Sequence, residues 1–162
     1  MNDKPCTNCF LIDDSLWGGE YPGSRRDEEA QKKVQQLLDF GITDFIDLTE
    51  PQEVKPYAPF LKSRARYHRF PIRDISVPES TELILEIARI VQNVRESGGR
   101  VYLHCLGGVG RTGTVGACLL AWRYRLTDGN EILERLRMQI WFHVDSMLPL
   151  NHLTNGLNRR VY

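Results

Sequence analysis

Cys105 and Arg111 stand six residues apart around the run Leu106, Gly107, Gly108, Val109, Gly110, a spacing that lets a thiolate and a guanidinium face one anion. A loop that wraps into a helix N-terminus aims several backbone N–H groups at one point. The helix dipole adds roughly half a positive charge there. Such a nest suits a phosphate dianion. Glycines let the backbone turn tightly and approach the anion without an obstructing Cβ. The same field favours the thiolate, the nucleophilic form, at Cys105. Arg111 supplies a planar fork that can hold two phosphate oxygens at once, which a lysine cannot. Thr112 is expected to place a hydroxyl beside the sulfur and help it leave a phosphoenzyme. His104 is expected to tie down the loop rather than move protons.

With 4 cysteines and 16 arginines in 162 residues, chance gives about 0.4 such Cys-Arg pairs, so the pair needs its context. An apolar lead-in, Val101 and Leu103, reads as a buried strand. The glycines follow, and Thr112-Gly113 opens a helix. A buried structural thiol at a strand end is the ordinary fate of a free cysteine, and the glycines and Arg111 argue against it here.

A thiolate attacking a phosphomonoester needs a proton donor for the departing oxygen, and a positioned acid is worth roughly 10² to 10⁴ in rate. The segment Tyr67 to Pro78 ends a strand and enters a proline-bounded loop whose only carboxylate is Asp74. A turn or cap role is the commoner use of such an aspartate. Asp44 and Asp47, the nearest rivals, fall inside a predicted strand.

The run His104-Cys105-x5-Arg111-Thr112 resembles the signature of the cysteine-dependent protein phosphatases, and the short chain is similar to their dual-specificity branch. Trp17 to Gly23, the strand Phe45 to Glu50 and the loop Phe70-Pro71-Ile72-x-Asp74 support the likeness, which runs from about Leu16 to Met138. The resemblance implies a phosphocysteine intermediate on Cys105, an upstream aspartic acid as general acid with Asp74 in its place, and no metal or other cofactor. It also implies a protein tyrosine phosphatase-like fold. The segment Ile140 to Pro149 departs from the family, being aromatic and apolar where a polar, proline-containing loop is usual. It reads as packing against the sheet edge or as a partner surface.

The rest of the chain must position these groups. Phe10 to Ile12 and Leu16 to Tyr21 read as a hairpin closed by Pro22-Gly23. Asp27 to Phe40 reads as a helix with Val34, Leu37 and Leu38 on one face and Gly41 as its stop. Ile42 to Leu48 is a predicted strand, Glu50 to Pro59 a loop, Tyr67 to Phe70 a further strand. Pro78 to Ser97 has strong helical periodicity, with Leu83, Ile84, Ile87, Ile90, Val91 and Val94 inward. Helices at Thr112 to Arg125 and Asp128 to Met138 follow. Alternation of strands and helices predicts an α/β three-layer sandwich, a central mostly parallel sheet of four to five strands flanked by helices. Residues 1–162 form one catalytic domain in this reading. The active loop then lies at the carboxyl end of a strand, where ligands bind in such sheets.

Formal charge is zero, which gives no reason to expect nucleic-acid or membrane binding. No apolar run approaches about 18 residues, and the start Met1 to Cys6 lacks the core of a signal peptide, so a soluble, cytoplasmic protein is expected. Four scattered cysteines are too few for a disulfide framework. Cys6-x-x-Cys9 has no second pair to complete a zinc site, so it reads as part of an unstructured start rather than a metal or redox motif. Cys118 is expected to face the core.

Substrate class is read from charge. The uncharged loop Leu106 to Gly110 favours a single phosphate on tyrosine, serine or threonine of a protein or peptide. The basic cluster Lys62, Arg64, Arg66, Arg69, Arg73 is expected to be mostly solvated, with Arg73 the candidate substrate contact. Two alternatives stand beside a phosphoprotein phosphatase. One is the same chemistry on an inositol phosphate or a nucleotide or RNA 5′-phosphate. The other is a non-catalytic phosphate-binding module, which would have no use for Asp74.

Overall fold

The structure, a computed structural model, describes residues 4–144. The chain opens with a hairpin of β1 (Cys9–Asp13) and β2 (Leu16–Gly19). Its reversal falls at Asp14 and Ser15, not at Pro22-Gly23, which instead carry the chain out of β2. Helix α1 (Asp27–Asp39) follows, with Asp27, Glu28 and Glu29 in its first turn, where carboxylates complement the helix dipole. Gly41, at φ +96°, ends it as the sequence suggests. Then come β3 (Asp44–Asp47), a 3₁₀ turn at Ala58–Leu61 and β4 (Arg66–Arg69). Helix α2 (Thr81–Glu96) begins three residues later than Pro78, because Ser80 caps it by accepting the Leu83 N–H at 3.3 Å. The chain closes with β5 (Val101–His104), α3 (Gly110–Tyr124) and α4 (Gly129–Val144). Helix α3 starts two residues before Thr112, and α4 extends past Met138. The last residues of α4 take in the start of the aromatic segment 140–149; residues 145–149 lie outside the described residues.

The strands form one sheet in the order β1-β2-β5-β3-β4, with β1 antiparallel and the other four parallel. This is the expected mostly parallel α/β sandwich. Alternation along the strands sends side chains to two apolar layers. Ile46, Val101 and Leu103 pack with Ile87, Val91 and Val94 of α2 and with Val115 and Leu119 of α3. Trp17, Phe45 and Tyr102 pack with Val34, Leu37 and Leu38 of α1 on the other face.

Register does the positioning. Gly19 pairs with His104, His104 with Asp47, and Asp47 with Arg69, so the four parallel strands end in one row. The loops that leave this row carry Glu20-Tyr21, Cys105 to Val109, Leu48 to Glu53 and Phe70 to Asp74. The candidate groups Cys105, Arg111 and Asp74 all leave one edge of the sheet, the carboxyl edge.

Candidate active site

The central strand β5 is fully buried and delivers Cys105, 3% exposed, to the start of the loop. The loop is fastened to its neighbour by Tyr21, whose N–H donates to the Leu106 carbonyl at 3.0 Å. Among its glycines only Gly108 is dictated by conformation and space. Its φ is +75°, and a Cβ there would sit 2.5 Å from Glu20 N and closer still to the Gly19 carbonyl carbon. Gly107 and Gly110 have no positive φ, and a Cβ on either would meet open space. The expected tight turning of the backbone therefore rests on Gly108 alone. Chain packing demands one, and the other two leave the backbone uncovered.

Arg111 is the second residue of α3, and its side chain is only 2% exposed. A buried guanidinium needs compensation for its charge. Glu53 provides it end-on: Nη2 donates to Oε1 at 2.6 Å and Nη1 to Oε2 at 2.8 Å. Nη1 also donates to the Ile72 carbonyl at 3.0 Å, with the Leu48 carbonyl at 3.5 Å. The Arg111 hydrogen bonds hold the Glu53 carboxyl below its ordinary range, and the same bonds raise the guanidinium's affinity for its proton. A guanidinium has five donors. Those remaining are Nε–H, which is buried and makes no hydrogen bond, and the second proton of Nη2, which faces Asp74 Oδ1 at 3.3 Å. Both terminal nitrogens are spent on Glu53. The side edge, Nε with Nη2, makes no further hydrogen bond, and its Nη2 end is ion-paired with Asp74.

Asp74 has its side chain 64% exposed, on the loop after β4. It is brought to Arg111 across 37 residues of sequence, while Asp44 and Asp47 are sequestered. Asp44 is fully buried and takes Arg66 Nε at 2.8 Å and Nη2 at 2.9 Å. Asp47 accepts from Thr49, Tyr67 and Arg69. Burial alone would raise the Asp47 carboxyl; the neighbouring His104 and these hydrogen bonds outweigh it, and the net displacement is downward. The basic cluster is mostly solvated, as expected: Lys62, Arg64, Arg66 and Arg73 are exposed and Arg69 is half-buried. Arg64, Arg66 and Arg69 are committed to Asp39, Asp44 and Asp47.

His104 is fully buried at the end of β5, its Nε2 2.7 Å from the Tyr57 hydroxyl. Asp47 Oδ1 lies 3.9 Å from Nδ1, an electrostatic neighbour but too far for a hydrogen bond. Burial pulls the imidazole down to about 4, so it is neutral at physiological pH. Thr112 is fully buried, and its Oγ1 makes no hydrogen bond, to Cys105 or elsewhere. The expected thiolate–hydroxyl bond is not formed.

Around this floor the surface is apolar. Leu106 and Val109 of the loop, and Ile75 and Val77 beyond Asp74, are exposed. Ile75 is 99% exposed at φ +54°, a strained conformation for a β-branched residue that buries nothing in return.

Sequence reasoning missed Glu53. A signal existed, since an arginine inside a helix start at a strand's carboxyl end must meet a carboxylate from a neighbouring loop. Spacing alone could not separate Glu53 from Glu50 in the proline-rich segment after β3.

Known proteins resemble this chain in sequence and in fold. The family model described as "Polymorphic toxin system, DSP-PTPase phosphatase" matches residues 20–125. The chain belongs to this DSP-PTPase phosphatase family. Protein 067L of Invertebrate iridescent virus 3, which carries the name of a tyrosine phosphatase, is 35% identical over 122 residues, covering 69% of this chain and 44% of that protein. Cyclin-dependent kinase inhibitor 3 of Homo sapiens is 29% identical over 141 residues, covering 80% of this chain and 64% of its own. The chain spans less than half the length of 067L and of its counterpart 197R in Invertebrate iridescent virus 6. Among solved structures, kinase associated phosphatase superposes with a TM-score of 0.73 at 21% identity, over 88% of each chain. Tk-PTP in its active form does so with a TM-score of 0.68 at 23% identity, over 86% of this chain and 95% of its own. At these identities the structural likeness speaks for the fold.

Proposed function

We propose that the chain is a phosphomonoester hydrolase that acts through a phosphocysteine on Cys105, with phosphorylated proteins or peptides as substrates and no cofactor. The backbone of Leu106 to Gly110 and the side edge of Arg111 bind the phosphate. The Cys105 sulfur forms a bond to phosphorus as the ester oxygen leaves, taking a proton from the Asp74 carboxylic acid. Water then attacks phosphorus, gives its proton to the Asp74 carboxylate, and the S–P bond breaks to release phosphate. The Thr112 hydroxyl, unpaired in this structure, bonds the sulfur only as it departs, and His104, neutral and held by Tyr57, positions the loop.

The observation that carries this reading is the hydrogen-bond inventory of Arg111. Three donated protons are fixed by Glu53 and the Ile72 carbonyl, which leaves the buried Nε–H and one Nη2–H side by side, next to Asp74. Two parallel donors next to the acid match two phosphoryl oxygens next to the leaving group. The uncharged loop and the apolar rim of Ile75, Val77, Leu106 and Val109 support a single phosphate carried on a protein surface rather than a polyphosphate. Among the described residues no helix is long and apolar enough to cross a membrane, and a thiolate enzyme works best in a reducing compartment, so we place it in the cytoplasm.

The test is phosphate release from phosphotyrosyl, phosphoseryl and phosphothreonyl peptides, inositol phosphates and nucleotides, each with the wild-type chain and with Cys105→Ser. Turnover of the peptides that Cys105→Ser abolishes is expected. Turnover that survives the substitution, or that is confined to the inositol phosphates or nucleotides, overturns the reading.

A further inference from the structure

Cys6 and Cys9 take no part in that chemistry, and the expectation of an unstructured start does not hold for them. Cys9 is the first residue of β1 and is buried on the α1 side of the sheet. The turn Cys6-Thr7-Asn8-Cys9 folds its sulfur back over Cys6: Cys9 Sγ accepts the Cys6 N–H at 2.9 Å and lies 2.8 Å from the Cys6 carbonyl oxygen. Cys6 is only half-buried, with its Sγ 3.6 Å from the Tyr102 hydroxyl oxygen. Tyr102 gives its own proton to the Glu20 carbonyl at 2.8 Å. A hydrogen bond from Cys9 draws the Cys6 thiol down, and the same contact, with burial, pushes the Cys9 thiol up. Cys6 is the less buried of the two and its thiol is the one disposed to carry negative charge. The other sits behind it and keeps its proton.

We propose that Cys6 and Cys9 form a redox-modification site, a dithiol that a hydroperoxide closes to an intramolecular disulfide, with Cys6 reacting first and Cys9 resolving. In the first step the Cys6 thiolate attacks one peroxide oxygen. An S–O bond forms, the O–O bond breaks, and the leaving oxygen departs with a proton as water or an alcohol. In the second step the Cys9 sulfur attacks the Cys6 sulfenic acid. The S–S bond forms, the S–O bond breaks, and the hydroxyl leaves as water with the Cys9 proton. The two sulfurs lose two electrons, and the peroxide gains them. Positioning favours this closure over a stable sulfenic acid, because the resolving sulfur already lies against the Cys6 backbone. The proposal stands independently of the phosphatase reading.

The chain has 4 cysteines, so Cys105→Ser with Cys118→Ser leaves only this pair. That variant is treated with hydrogen peroxide and followed by intact mass, thiol titration and non-reducing electrophoresis. The expected result is a monomer that loses about 2 Da and both thiols together, with dithiothreitol restoring them. A further Cys9→Ser change should trap the sulfenic acid on Cys6 for dimedone, and Cys6→Ser in its place should leave Cys9 essentially unlabelled. In the wild-type chain the tryptic peptide ending at Arg25 holds both cysteines and no other, so the same loss can be read there without any substitution. Thiols at 6 and 9 that survive peroxide sufficient to oxidise Cys105, a disulfide between chains, or dimedone captured by Cys9 instead of Cys6 would each overturn the proposal.

Discussion

Glu53 holds Arg111 end-on through two short hydrogen bonds, 2.6 and 2.8 Å, and thereby decides which edge of the guanidinium is left without a hydrogen bond. The carboxylate does not touch the anion in the proposed reaction; it fixes the orientation of the group that does. Its own loop is held in an uncommon conformation, with Gln52 at φ +123° just before it.

Glu53→Gln keeps the shape and removes the charge, so it should loosen Arg111 without emptying the space. We expect kcat/KM on an aryl phosphate to fall about tenfold or more, the scale of losing one charged hydrogen-bond partner. Phosphate should also bind more weakly as an inhibitor. Unchanged values for both would show that Arg111 is oriented by the Ile72 and Leu48 carbonyls alone.

Asp74→Ala should separate substrates by leaving group. A seryl phosphate, whose alkoxide needs a proton, should slow by roughly 10² to 10⁴, while an activated aryl phosphate slows far less. Equal losses on the two would move the acid to another residue.

Gly108→Ala should destabilise the fold by more than about 1 kcal/mol, since it adds strain at φ +75° to a clash with backbone at Gly19 and Glu20. Gly107→Ala and Gly110→Ala should leave the thermal midpoint close to wild type. Thermal denaturation of the three variants checks this, and similar losses in all three would contradict the distinction drawn between them.

His104 gives a pH prediction. Its folded value, about 4, lies below the ordinary 6.5, so between those values the unfolded chain binds the extra proton and the folded chain does not. The contribution of the neutral buried ring is fully present above about 6.5 and is lost as pH falls toward 4. Glu53 and Asp47, held below the usual carboxylate range, lose their contributions in the same direction at lower pH still. The midpoint of thermal unfolding should therefore drop between pH 6.5 and 4, and His104→Asn should flatten that drop. A slope unaffected by the substitution would assign it to the carboxylates.

The sequence was most informative where geometry is local. Periodicity located α1 and α2 to within a few residues, because a helix declares its buried face every three to four positions. The Cys105 to Arg111 loop was readable because strand, glycines and helix start are contiguous. Asp74 could be singled out because it is the only carboxylate between Tyr67 and Pro78, and the structure sets it 3.3 Å from Arg111. Glu53 was not, since its partner is 58 residues away and only the row formed by the strand ends brings them together. The ion pairs of the β4 arginines were hidden for a related reason. Their partners Asp44 and Asp47 lie on an adjacent strand, and no pattern within β4 itself reports that they are pinned there. The hairpin reversal was misplaced because Pro22-Gly23 is the stronger turn signal, although Asp14-Ser15 makes the turn.

The order of strands has a kinetic meaning. β5 is paired on both sides, with β2 and β3, whereas β4 lies at the edge. Cys105 thus follows the strand whose amides should exchange with solvent only on global opening, and Asp74 follows the one that can open locally. The proposed nucleophile and acid would then hang from parts of the sheet that open at different rates, and amide exchange should find β5 protected where β4 is not.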